Sequence, residues 1–331
     1  MLGFSVLLNL SGLFSGMASV SGSHHRSGGP RLDETVVEEH KDADKIAIVP
    51  IEGVIGSHMG DRGGFTMVDV VKAQLQRADD DSDVKAVILR VDSPGGEVLA
   101  SDEIARHITR FEQRSGKPVI VSMGSLAASG GYYVSAPCNW IVAHELTITG
   151  SIGVIMHGYN YRGLMDKVGL RPEVYKSGRF KDMLSGDRTP DQISPEERAM
   201  VQKLIDDTYA KFKQVVADGR KHAQDGNKEV RPLTSNWADY ADGRVLSGKE
   251  ALAVGLVDEV GNFEDAVARA QKIAGLAGKA TLIEYRQRLD FADIFGLWGK
   301  SEAAVVKVDL GIEPPKLEAG RMYFMAPTYI Y

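Results

Sequence analysis

Two periodicities alternate along this chain. Short apolar runs rich in β-branched residues are separated by stretches with an apolar residue every three or four positions. Residues 46–51, Ile-Ala-Ile-Val-Pro-Ile, form the first run and predict a buried strand. A helix is predicted over 65–78, where Val68, Val71 and Leu75 share a face. Residues 84–92 predict a second strand, which ends abruptly at Ser93-Pro94-Gly95-Gly96. Residues 97–114 predict a helix with Ile104, Ile108 and Phe111 on one stripe. Then come a strand over 118–122, a small-residue helix over 127–136, and strands over 139–143 and 151–157. Strand–helix alternation of this kind implies an α/β fold, a parallel sheet with crossover helices.

The second half opens on a long helical excursion over 195–223. Ser194 is its expected N-cap, Pro195 takes the first helical position and Glu197 completes a capping box. Val201, Leu204, Ile205, Thr208, Phe212 and Val215 form its apolar stripe, expected to face the core. Shorter helices are expected over 249–253 and 263–274.

Both ends break the pattern. Residues 1–22 contain no Asp, Glu, Lys or Arg. They reach the roughly 20 residues that a membrane span needs, but Ser, Gly and Asn9 dilute them and no basic flank precedes them. A membrane anchor, a signal segment and a disordered leader all remain open. Residues 23–44 read as a disordered acidic linker, with order from Lys45. Residues 276–331 read as a C-terminal extension ending in an apolar, aromatic tail over 322–331. Such a tail is expected to dock on a neighbouring subunit or in a groove, or to add a last strand to its own core.

Composition narrows the class. The chain has 331 residues, 43% of them hydrophobic and 25% charged, which is ordinary globular usage. That length suits two domains or one large one. A net charge of −6 offers no footprint for nucleic acid. Cys138 is the only cysteine, which excludes an internal disulfide and a Cys-rich zinc site. His24-His25 has no spaced partner, and no phosphate loop with Lys-Ser or Lys-Thr occurs, so no metal or cofactor is expected.

Three places could carry chemistry. At Asp92-Ser93-Pro94-Gly95-Gly96 a buried strand gives way to a helix. Paired glycines there can aim amides at an anion as an oxyanion hole, or can be a steric necessity of the turn. Ser129, between Ala128 and Gly130-Gly131, could expose a nucleophilic hydroxyl, with the Gly130 amide as a further donor. The plainer reading is a close-packed helix start. A serine nucleophile needs a base. His144 and His157 are the nearest downstream histidines, and Lys181 is the other candidate. Beside Phe180 and Met183 that lysine could be desolvated enough to lose its proton, although lysines are mostly solvated surface groups.

Taken in order, these segments resemble a known family. They are Asp92–Gly96, Ala128-Ser129-Gly130-Gly131-Tyr132-Tyr133, Leu146–Val154, Ser177-Gly178-Arg179-Phe180-Lys181, Gly243–Gly248 and Gly255–Asp258. The order is similar to that of the bacterial signal peptide peptidase A family, in its short, single-repeat form, from about Lys45 to Ala274. The resemblance implies a Clp protease/crotonase-like fold of repeated β-β-α units, with a peptidase domain over 45–275. It implies a Ser–Lys dyad, with Ser129 as nucleophile, Lys181 as general base and Ser151 orienting the lysine. Gly130, Gly95 and Gly96 match the oxyanion donors. It further implies ring-like homo-oligomers that cleave remnant signal peptides at the membrane, with the catalytic domain extracytoplasmic and no cofactor. Tyr132 and Tyr133 follow the nucleophile and could line an apolar substrate groove or belong to the core. Two other functions compete: a crotonase-type acyl-coenzyme A enzyme, and a non-catalytic membrane-associated scaffold.

Overall fold

The apolar runs assemble into the expected parallel sheet. The computed structural model describes residues 29–41, 43–57, 64–287 and 322–325. The readings for residues 1–22 and for the end of the tail lie outside them. In chain order the first elements are β1 (Leu32–Glu38), β2 (Lys45–Glu52), α1 (Met67–Asp80), β3 (Val84–Ser93), β4 (Gly95–Glu97) and α2 (Val98–Ser115). There follow β5 (Val119–Ala128), α3 (Gly130–Ser135), β6 (Trp140–Ala143), β7 (Ile148–Gly150), β8 (Ile155–Met156) and α4 (Arg162–Lys167). The remainder is α5 (Pro195–Gly226), β9 (Val245–Ser247), α6 (Gly248–Ala253), β10 (Glu259–Val260), α7 (Phe263–Ile273), β11 (Thr281–Gln287) and β12 (Met322–Met325).

β2, β3, β5 and β6 are parallel and lie side by side. Their alternate residues bury on opposite faces. Val49, Val87, Leu89 and Val121 join one core with Val71 and Leu75 of α1 and Ile104 and Ile108 of α2. Ile46, Ile48, Ile88 and Ile120 join a second core with Ala266 and Ala270 of α7. A strand buried on both faces needs an unbroken apolar run, which explains why the sequence announced these strands so clearly.

The ends of the folded unit lie outside the expected 45–275. Residues 32–38 are not a disordered linker: β1 pairs antiparallel with β11, which itself lies parallel to β2 inside the central sheet. β1 is the outer strand of the sheet, and Val36 and Val37 are about half exposed. Charged residues suit an exposed edge strand, so its acidic composition imitated a linker.

β5 also runs past its expected end at Ser122, and no helix spans 127–136. Leu126, Ala127 and Ala128 stand opposite Ile148, Thr149 and Gly150 of β7. This pairing holds the small residues extended until α3 starts at Gly130. Of the strand expected over 151–157, only Ile155–Met156 is formed.

α5 begins as expected, with the Ser194 hydroxyl accepting from the Glu197 amide at 3.2 Å. Glu197 does not close a capping box; its carboxylate is bound by Arg188 at 2.8 Å. Of the expected stripe only Phe212 is fully buried and Leu204 is 48% exposed, while Val216 and Ala223, outside that stripe, are buried too. The second half of the helix is anchored twice. Gly219 packs against the main chain of Ala136 and Pro137. Arg220 Nη2 meets both Asp258 oxygens at 2.5 and 2.6 Å, with the pair almost wholly buried. Asp258 also accepts the Ile141 amide at 2.8 Å, which ties helix to sheet. Removing one member of a buried pair strands the other charge. Asp258→Ala should therefore lose about 3–5 kcal/mol of stability. Arg220→Met added to it should restore part of the loss, since no charge is then left unpaired. Urea denaturation of the two variants reads this directly, and a single-variant loss under about 1 kcal/mol would contradict it.

Candidate active site

The site is assembled where β3, β5 and β7 end. At the end of β3, Ser93 turns inward and its hydroxyl donates to the Gly53 carbonyl at 2.6 Å. The same oxygen accepts the Gly95 amide at 3.1 Å. Gly95 therefore gives its amide to Ser93, which corrects its expected role as an oxyanion donor. The two glycines also lie in a strand, β4, and the helix that follows it starts only at Val98, so the helix start nearest them is that of α3 at Gly130. Glycine is nonetheless obligatory at both positions. Gly95 has φ +93°, and a Cβ on it would lie 2.0 Å from the Phe324 carbonyl oxygen and 2.5 Å from the Gly130 nitrogen. A Cβ on Gly96 would lie 1.9 Å from the Ile55 carbonyl oxygen.

β5 delivers Ser129. Its backbone has φ 55° and ψ −114°, outside the regions an L-residue ordinarily occupies, and it caps α3. Backbone of this kind carries about 1–3 kcal/mol of strain. The Ser129 amide donates to the Gly150 carbonyl at 2.8 Å, and its own carbonyl accepts from the Tyr133 amide at 2.8 Å. The turn is thereby held open from both sides. The Ser129 side chain is buried, yet its hydroxyl has no hydrogen-bond partner. Gly130 follows as the first residue of α3, where amides have no acceptor within the helix.

Ser151 is beside it by register. Ala128 pairs with Gly150, so Ser129 and Ser151 leave neighbouring strands at the same level. Ser151 also has positive φ, at 49°, is buried, and donates its amide to the Arg244 carbonyl at 2.7 Å. Two side chains not expected to matter from the sequence, Thr147 and Thr149, lock this register. Thr149 Oγ1 donates to the Ala127 carbonyl at 2.7 Å and Thr147 Oγ1 to the Gly124 carbonyl at 2.8 Å. Their spacing of two along an exposed-buried strand was the available signal.

Lys181 makes no hydrogen bond to Ser129 in this single chain. It sits in a turn, exposed, and the Ser129 hydroxyl has no partner. Phe180 and Met183 therefore do not desolvate it as expected. Its neighbour Asp182 is engaged by Lys176 at 2.6 Å, a bond that holds the carboxyl below its usual range. His144 is exposed and its Nδ1 accepts from the Leu146 amide at 3.2 Å, while the His157 ring packs edge-on to Tyr159. Neither histidine bonds the serine.

Tyr132 is a core residue, and Tyr133 is buried in the core while also lining one of the cavities beside the site. Both are buried, with hydroxyls donating to the Leu256 carbonyl at 2.8 Å and to Asp102 at 2.7 Å. Phenols that must reach polar partners from inside a core read in sequence just like groove aromatics. Two cavities flank the site. One, of about 530 Å³, is lined by Ser151, Gly153, Ile205, Tyr209 and Met325. The other, of about 500 Å³, is lined by Val98, Leu99, Lys211, Met322 and Phe324. Among the described residues no cluster of His, Cys, Asp and Glu could hold a metal ion.

A buried, unbonded serine on a strained strand-to-helix turn, beside amides at a helix start, is the arrangement of serine hydrolases. Comparison with known proteins gives the family. The sequence model of Peptidase family S49 matches residues 111–277, which include Ser129, Ser151 and Lys181. A putative protease of Synechocystis sp., slr0021, is 42% identical over 233 residues, spanning 70% of this chain and 75% of the relative. The putative signal peptide peptidase SppA of Enterococcus faecium is 37% identical over 263 residues, spanning 78% and 72%. The chloroplastic serine protease SPPA of Arabidopsis thaliana is 34% identical over 275 residues, spanning 81% of this chain and 39% of the relative. The chain belongs to peptidase family S49 and is a serine peptidase. Nothing in these comparisons favours the acyl-coenzyme A or scaffold alternatives.

The steric fit of β4 gives an expectation for activity. Gly96→Ala would drive a methyl into the Ile55 main chain, and overpacking of this kind destabilises by about 1–3 kcal/mol. Peptidase activity should fall by at least about tenfold, because a shift of about 1 Å in reacting geometry can cost about a hundredfold. Wild-type turnover in that variant would show that β4 does not position the substrate.

Proposed function

We propose that this chain is an endopeptidase for remnant signal peptides or other apolar peptides at the membrane. Ser129 is the nucleophile, Lys181 the general base and Ser151 the residue that orients the base, with Gly130 and Gly96 donating to the oxyanion. The observation that carries this reading is the strained Ser129 with its buried, unbonded hydroxyl, in register with Ser151. Attack by that hydroxyl on a peptide carbonyl forms the acyl-enzyme, with the lysine taking the proton and returning it to the leaving amine. Water then releases the acyl group by the same proton path.

The working form is a homo-oligomer. Tyr161, Leu164, Val168, Leu170 and Val174, around α4, are 49% to 70% exposed, and Leu184 follows them at 55%. An apolar surface of this extent on the segment that bears Lys181 supports burial against a second copy. Burial there would exclude water from the base. Membrane association is supported by the uncharged residues 1–22, and an extracytoplasmic catalytic domain is what the family resemblance implies. Among the described residues no helix is long and apolar enough to cross a membrane.

The test uses the purified full chain in detergent, given an apolar signal peptide and a highly charged peptide of equal length. Selective cleavage of the apolar peptide is expected, together with labelling of Ser129 by a fluorophosphonate and a sedimentation mass of several chains. Labelling with preferential cleavage of the charged peptide would overturn the substrate class.

A further inference from the structure

Close packing forces β4 to be built from glycines, and glycine has more torsional freedom than any other residue. A strand of two glycines does not hold its own amides in place, so groups outside it must. Two bonds come from Ile55, whose amide donates to the Gly95 carbonyl at 2.9 Å and whose carbonyl accepts the Glu97 amide at 2.7 Å. Successive residues of a strand present their main-chain groups to opposite edges, so the Gly96 amide faces away from Ile55. A Cβ on Gly130 would lie 3.0 Å from the Gly96 nitrogen, so the two donors assigned to the oxyanion stand at one place. The Gly95 amide is the group left to fix.

Ser93 fixes it from inside. It ends β3 and is wholly buried. A buried hydroxyl is costly unless it is bonded, and this one is bonded twice. It accepts the Gly95 amide at 3.1 Å and donates to the carbonyl of Gly53, just past the end of β2, at 2.6 Å. The main chain of Ser93 touches the rest of the site. It stands opposite Ala127 of β5, shortly before Ser129. A Cβ on Gly131 of α3 would lie 2.8 Å from its carbonyl oxygen. Only Pro94 separates Ser93 from Gly95, and proline has a fixed φ and no N–H to bond elsewhere. One buried side chain thus joins the ends of β2 and β3 to the start of β4, against the helix that carries the nucleophile.

We infer that Ser93 is a positioning residue for the oxyanion donors: its hydroxyl holds Gly95 so that the Gly96 amide stays beside Gly130. This rests on the reading of Ser129 as the nucleophile. Ser93 is closed off from solvent and acts only through Gly95. Its effect belongs to the step in which the carbonyl oxygen gains charge, because a preorganised amide stabilises that charge more than it does the neutral peptide. Substrate binding is left nearly untouched.

The experiment uses the purified full chain in detergent with Ser93→Ala, Ser93→Cys and Ser93→Thr. An apolar signal peptide gives kcat and KM. A peptide aldehyde of the same sequence reports the oxyanion directly. Ser129 Oγ adds to its carbon, the serine proton passes to the base, and the carbonyl electron pair moves onto the oxygen that the donors hold. Ser93→Ala should lower kcat about a hundredfold, the order expected for a misplacement of about 1 Å, with KM changed less than about twofold. Aldehyde affinity should fall about as far as kcat. Ser93→Thr, which keeps the oxygen, should recover at least about tenfold of the lost kcat, whatever its melting temperature. If Ser93→Ala does not fold, Ser93→Cys decides, since its longer and weaker bond should lower kcat at least about tenfold with KM held. A folded Ser93→Ala chain with wild-type kcat would overturn the inference. So would a loss of kcat with aldehyde affinity unchanged, or a failure of Ser93→Thr to recover activity, since either marks a merely structural role. A wild type that neither cleaves the peptide nor binds the aldehyde would remove the peptidase reading of Ser129, and the inference with it.

Discussion

Ser129→Ala should lower peptide cleavage by at least about 10⁴-fold, since removing a nucleophile from an acyl-transfer site typically costs that much or more. The variant should keep its fold. The hydroxyl is buried and bonds nothing, so truncation removes a polar group that was already desolvated without return. Its melting temperature should therefore equal or exceed that of the wild type. Ser129→Gly should rise further, because glycine tolerates the φ of 55° that strains serine and alanine alike. Inactive and more stable is an unusual combination, and it separates a reacting group from a packing group, whose loss would lower stability. More than a few per cent of wild-type activity in a pure Ser129→Ala preparation would remove the residue from the mechanism.

Lys181→Met should be comparably inactive, and Lys181→Arg as well, because a guanidinium stays protonated and cannot accept the serine proton. Stability should hardly respond. Lys181 is exposed in the single chain and among the described residues no carboxylate is bonded to it, so substitution should stay within about 0.5 kcal/mol. A change in sedimentation mass on Lys181→Met would place the lysine within the subunit contact itself. Full activity of Lys181→Met would return the role of base to His144 or His157, and the matching histidine variants would decide between them.

What the sequence disclosed follows from physics it can express. Strands buried on both faces appear as unbroken apolar runs, so β2, β3 and the start of β5 were legible. Ser129 and the glycines were legible because their neighbours are small where backbones touch. Three things were not. β1 is polar because it is an edge, and nothing local distinguishes an acidic edge strand from an acidic linker. Leu126–Ala128 are extended because β7, some twenty residues later, pairs with them. The exposure of Lys181 depends on what covers the α4 segment, and the local neighbours Phe180 and Met183 misstated it. The burial of Tyr132 and Tyr133 was equally hidden, since it depends on Leu256 and Asp102 reaching their hydroxyls.

The placement of β11 sets a timetable. In the sheet it stands between β1 and β2, with Leu32 opposite Gln287 and Leu282 opposite Ile46. While the chain is being made, β2 has β3 on one side within seconds, but its other edge stays bare until residue 287 has been added. At about 5–20 residues per second the wait is roughly 10–50 s. β1 must wait as long, because among the described residues β11 is the only strand it pairs with. Throughout that interval an apolar strand with unsatisfied main-chain groups is open to foreign pairing. The first-made and last-made strands of the sheet thus close it together, and a chain cut short before β11 would leave that edge permanently exposed.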